Sequence, residues 1–175
     1  MRMSRKILRM RVVSNTSPIS GLAIIGRLEA LRTQFGVIQI PETVRDELLC
    51  LEHSAARLAI HRAQAAGWIN IASVKNKALV SALNVTLDAG EAVAIALAVA
   101  ADADFLIMDE STGRATARNL GLTITGTLGV LLKEKRAGRI PSLNVEMKRL
   151  MDEAGFFLSD SIYEQFRSAA GEDEF

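Results

Sequence analysis

The chain has 175 residues, 49% of them hydrophobic, and a formal net charge of +1. That length and apolar content suit one domain with a substantial core, and the near-neutral balance gives no global basic field that would demand nucleic acid. A single cysteine, Cys50, excludes an intramolecular disulfide and fits a reducing cytoplasm, and its place in a helical pattern reads as a buried structural residue.

Arg2, Arg5, Lys6, Arg9 and Arg11 precede an apolar stretch in the manner of a signal peptide, but Asn15, Ser17 and Pro18 interrupt it too early. Residues 1–9 therefore read as a basic extension, frayed or upstream of a start at Met10. The apolar run from Ala92 to Ala101 is too short to span a bilayer. The expectation is a soluble, unexported, cytoplasmic protein without membrane contact.

A first strand is predicted over residues 10–14, with Thr16/Ser17 capping a helix that carries Pro18 in its first turn and runs to Phe35-Gly36. Val37 to Ile40 reads as a buried strand. Pro41 opens a helix or helix pair that stops at Gly67, and Trp68 to Ala72 forms a third strand. A short helix from Asn76 to Leu83 follows, then a longer one capped by Asp88. Phe105 to Met108 is the fourth strand, residues 111–120 a helix, and Leu122 to Thr125 the fifth strand. Thr127 caps a helix reaching Arg136; residues 142–153 and 159–169 are helical, and the acidic tail from Glu172 is expected to be disordered. Short apolar strands alternating with helices predict an α/β fold, with about five mainly parallel strands between two helical layers. No linker or repeat divides the chain, so residues 10–170 read as one domain and 171–175 as a tail.

In such a sheet, strand carboxyl ends and helix amino ends meet in one crevice. Asn15 follows the first strand, Asp109 and Glu110 follow the fourth, and Asp88 and Glu91 share a face of one first helical turn. Glu47 sits beside the core positions Val44 and Leu48, whereas Glu42 is better placed to face water. Each acid alone has an ordinary explanation as a cap, a dipole-favoured residue or a solvated one. Gathered on one rim, they repel unless a cation joins them. Oxygen donors without cysteine or histidine favour Mg²⁺ or Mn²⁺ over zinc, and the matching chemistry is phosphodiester hydrolysis.

Arg114 and Arg118 share a helix face near this rim and are candidates to hold substrate phosphates, together with Thr16 and Ser17; a solvated helix face is the competing reading. Lys133, Lys135, Arg136 and Arg139 form a basic cluster at a helix end. Without interleaved aromatics, no base-stacking surface is apparent, so RNA binding should be backbone-driven and salt-sensitive.

Val12-Val13-Ser14-Asn15-Thr16-Ser17-Pro18, Ile40-Pro41-Glu42 through Glu47-Leu48, Gly90-Glu91-Ala92 and Met108-Asp109-Glu110, in this order, resemble the PIN-domain superfamily. The segment Thr125 to Leu132 resembles a poorly characterised prokaryotic branch of it, and the likeness extends from about residue 10 to 170. The resemblance implies a three-layer α/β/α sandwich and a metal-dependent ribonuclease related to VapC-type toxins, often homodimeric and held by a small antitoxin protein. It places the family's acids at Asn15, Glu47, Glu91 and Asp109 or Glu110, with Asp109 favoured because it follows the strand directly. Asn15 departs from the pattern. Its amide can still ligate a metal but brings no charge, and one unit charge a few Å away is worth on the order of 4 kcal/mol at an effective dielectric near 20. The alternative is a catalytically weak or inactive PIN-like protein that binds RNA or protein. A phosphotransfer protein fits the sheet but would need an acid where the first strand ends in Asn15.

Overall fold

Every residue of β1 (Val12–Ser14) is buried, as expected of a strand covered on both faces. The computed structural model describes residues 10–172, so the extension at 1–9 and the end of the tail at 173–175 lie outside the described residues. β1 is central. β2 (Ile38–Pro41) and β4 (Phe105–Ile107) flank it, β3 (Ile69–Ala72) pairs with β2, and β5 (Ile124–Thr125) with β4. All four pairings are parallel, with Val12 opposite both Ile38 and Phe105. The order β3-β2-β1-β4-β5 reverses direction between β1 and β4. Ligands of open α/β sheets bind at that reversal, outside the strand carboxyl ends.

Alternation along β1 and β4 divides the core. Val12 and Ile107 join one apolar cluster with Leu22, Leu31, Val130 and Leu150, while Val13, Leu106 and Met108 join another with Ala92, Ile95 and Ala117. The first covers the face packed by α1 (Thr16–Ile24), α2 (Glu29–Phe35), α4 (Ser54–Ala65), α8 (Thr127–Arg136) and α9 (Leu143–Ala154). The second lies under α5 (Lys77–Leu83), α6 (Ala89–Ala100) and α7 (Ser111–Asn119). α3 (Glu42–Leu49) follows β2, and α10 (Asp160–Ala169) ends the described fold. The result is the α/β/α sandwich that the alternation of strands and helices predicts. Among the described residues, no helix is long and apolar enough to cross a membrane.

Local details differ from expectation. The first helix breaks into α1 and α2 around Gly26, whose φ of 70° no helix residue adopts. The N-cap of α1 is Asn15, which makes no side-chain capping bond, so Thr16 and Ser17 are freed from capping. Thr127 likewise lies inside α8, whose N-cap is Gly126. Cys50 is exposed rather than buried, because it ends α3 beyond the core-facing Leu48. Glu172 is held, not disordered: it accepts hydrogen bonds from the Leu143 and Asn144 amides and from Ser142 at the start of α9, and pairs with Lys135. Free helical N–H groups explain its capture.

The basic cluster is also consumed structurally. Lys133 lies over the rings of Phe35 and Phe105, Arg136 donates to the Ala169 carbonyl, and Arg139 grips Glu134.

Candidate active site

Asn15 begins where β1 ends, and its backbone N–H donates to the Ile107 carbonyl of β4 at 3.0 Å. That bond brings the two strand ends together at the sheet's reversal. Asn15 is only 5% exposed, and its Oδ1 is buried without a hydrogen-bond partner. A buried amide oxygen left unpaired costs of order 1–3 kcal/mol, so an orphan acceptor at a strand terminus is itself a signal of a missing donor or cation.

Glu91 is a buried charged group of the same rim, also 5% exposed. It belongs to a capping box: Asp88 Oδ1 accepts from the Glu91 N–H at 2.8 Å, and Glu91 Oε2 accepts from the Asp88 N–H at 3.3 Å. Burial raises its pKa, the Asp88 carboxylate adds to the rise, the Asp88 N–H opposes it, and the charges of Glu110 and Glu47 push the same way as burial. Glu91, Glu47, Glu110 and Asp88 therefore share one negative field. Two glycines leave room for it. A Cβ on Gly113 would stand 3.2 Å from Glu91 Oε1, and one on Gly90 would stand 2.7 Å from Glu47 Oε1. Glu47 is otherwise exposed and receives the Thr16 hydroxyl.

Asp109 occupies a different position from its neighbour. Its Oδ1 accepts from the Thr127 N–H at 2.8 Å, and its Oδ2 accepts from the hydroxyls of Thr127 at 2.7 Å and Ser17 at 3.0 Å. Both oxygens are thus tied to the start of α8 and to α1, and the negative charge suits that helix terminus. Glu110, one residue on, is exposed and acts on Glu91. Arg114 lies between, donating to the Met108 carbonyl at 2.7 Å. Burial lowers its pKa and Arg118 lowers it further, while Asp109 works against both; it nevertheless stays charged, as guanidinium groups do. Arg118 is exposed, and its guanidinium has neither a hydrogen bond nor an ion pair among the described residues.

The structure thus brings Thr16 to Glu47 and Ser17 to Asp109, and it sets Glu91 within the field of Glu47 and Glu110. Thr127 and the glycines at 90, 113 and 126 were not singled out as site residues, although Gly126 lies where a Cβ would stand 2.8 Å from Asp109 Oδ1. For Thr127 and Gly126 the signal is the Thr125-Gly126-Thr127 run, which leaves β5 on the same rim. Among the described residues, no three acids, histidines or cysteines lie close enough to hold a metal ion by themselves. An ion here would need the Asn15 amide and water beside one or two carboxylates. That donor set is the usual one for magnesium, so the residues present fit a hard cation.

A parallel sheet with its polar residues at the reversal defines an α/β protein with a carboxylate site at the strand ends. The family model described as a PIN domain matches residues 11–172, and the chain belongs to the PIN-domain family. No curated protein matches it.

Proposed function

We propose that this protein is a divalent-metal-dependent endoribonuclease, a toxin-like member of a toxin–antitoxin pair that acts in the cytoplasm as a homodimer. The observation that carries the reading is the buried, unpartnered Asn15 Oδ1 on a rim where Glu91 is buried among other carboxylates. Water can satisfy the orphan oxygen, but only a cation also offsets the mutual repulsion of the carboxylates.

In this reading Glu91, Glu110 and the Asn15 amide would hold Mg²⁺ or Mn²⁺, which would supply activation of water and neutralisation of charge on the phosphate. Glu47, fixed by the Thr16 hydroxyl and exposed, is placed to accept a proton from the attacking water. Asp109 is a positioning residue that keeps α8, α1 and the end of β4 in register. Arg114 and Arg118 receive the backbone phosphates of RNA.

A second reading, a weak or silent PIN-like protein that works by binding, rests on Asn15 standing where the family pattern has an acid. Cleavage of RNA by the purified protein separates the two. The nuclease reading expects cleavage with Mg²⁺ or Mn²⁺, none in EDTA, and a large loss in Glu91→Gln. Intact RNA under every metal condition, with RNA still bound, would establish the second reading instead.

A further inference from the structure

A cleft of about 950 Å³ opens from the Asp109–Glu110 end of the rim, at the upper end of the range for ligand pockets. Arg114, Arg118 and the segment Gly155–Ser159 between α9 and α10 all line it. Within that segment Phe157 is 91% exposed, the most exposed of the large apolar side chains among the described residues. Its neighbours are not free. Gly155 ends α9 in the left-handed conformation at φ 68°, and the Phe156 N–H returns to the Leu150 carbonyl at 3.0 Å. The Phe156 ring presses so closely on α1 that a Cβ on Gly21 would stand 2.6 Å from it, and Leu158 packs against the core. Ser159 then caps α10 by accepting from the Ile162 N–H.

Phe157 is therefore a solvated ring on a backbone pinned on both sides. Little conformational entropy remains to be lost when something covers it. What covers it is indicated by the other residues of the cleft, where Arg118 has no counter-ion among the described residues and Arg114 is already oriented by the Met108 carbonyl. Two guanidinium groups and an anchored aromatic residue lining one cleft, which reaches Asp109 and Glu110 of the carboxylate rim, match a nucleotide: phosphate to the arginines and base to the ring. A purely apolar partner would leave Arg118 uncompensated.

We propose that Phe157 is the stacking platform for a base of single-stranded RNA flanking the scissile phosphate. The proposal rests on the ribonuclease reading and names the form of its substrate. It also revises the expectation from the sequence that binding runs through the backbone alone. The aromatic needed is absent from the basic segments and arrives from a loop 39 residues beyond Arg118 along the chain.

Binding of a short fluorescein-labelled oligouridylate, followed by anisotropy with Mg²⁺ present and Glu91→Gln as the uncleaving parent, tests it. Phe157→Ala should weaken binding by about tenfold or more, Phe157→Trp should keep it, and the loss should vanish on an oligomer of abasic ribose phosphates. Arg118→Ala should weaken binding of both oligomers. Unchanged affinity in Phe157→Ala, or an equal loss on the abasic oligomer, overturns the platform while leaving the nuclease reading intact. Light scattering that shows Phe157→Ala falling from dimer to monomer overturns it in favour of a contact between copies. Absence of RNA binding and of RNA cleavage by the protein with Glu91 intact overturns both readings.

Discussion

Glu91 and Glu134 are each 5% exposed, yet the fold treats them in opposite ways. Glu134 on α8 accepts two hydrogen bonds from Arg139, each at 2.7 Å, and one from Gln34 at 2.6 Å. The Arg139 bonds hold its carboxyl below the usual range, against a burial cost that would raise it. Glu146 on α9 is satisfied in the same manner by Arg27 and Arg149. Glu91 has no such cation: burial and three neighbouring carboxylates raise its pKa. A buried acid with its counter-charge built in is structural. One that meets only like charge is stable when something outside the chain supplies the cation.

Replacing Glu91 should break this contrast most severely. Glu91→Gln is expected to lower metal-dependent cleavage by about a hundredfold or more, and calorimetric unfolding without divalent ions should show a higher Tm than the parent. Adding the missing charge should sharpen the contrast from the other side. Asn15→Asp should tighten Mn²⁺ binding by roughly tenfold to a hundredfold, well below the bare Coulomb figure because desolvation offsets part of it. Titration calorimetry measures that directly, and an unchanged affinity removes Asn15 from the ion's surroundings.

The two acids after β4 should then separate. Glu110→Gln is expected to weaken metal binding several-fold with little effect on folding. Asp109→Asn should instead destabilise the fold by about 1 kcal/mol, the scale of a charged hydrogen-bond set lost at a half-buried site. Equal effects of the pair on metal affinity would merge their roles.

The smallest effects lie in the pH dependence of stability, and they have opposite signs. A carboxyl with a raised folded pKa, such as Glu91, destabilises the fold once ionised; the penalty is present at neutral pH and fades as pH falls toward 4.5. A carboxyl with a lowered pKa, such as Glu134, adds stability above 4.5 that is lost as pH falls through its folded value. Denaturant titrations across acid pH should therefore lose their upper limb in Glu91→Gln and part of their lower limb in Glu134→Gln, with cleavage unchanged in the latter.

The strand-and-helix alternation was legible because each element carries its own pattern: buried runs such as Val12–Ser14, and the capping pair Asp88 and Glu91 three residues apart. The rim was legible for the same reason, since a parallel sheet places all strand ends together. What could not be read were pairings fixed only by packing. Thr127 and Asp109 meet across 18 residues, Ser17 and Asp109 across 92, and neither bond leaves a local trace. Strand position favours Asp109 over Glu110 but does not reveal that Thr127 of α8 donates to both Asp109 oxygens. Cys50 was misjudged because helical periodicity near a terminus does not reveal where the helix stops. Phe157 gave no sign of its setting, because exposure depends on how its neighbours are anchored.

Gly90 offers a way to separate shape from charge. Helix α6 lays its bare first turn against the Glu47 carboxylate so closely that a methyl group would meet both oxygens, at 2.7 and 2.9 Å. The missing side chain leaves room for that carboxylate. A single added carbon there would displace an acid without removing or neutralising any, so that, under the proposed role of Glu47, cleavage would fall while the full complement of charges is still present.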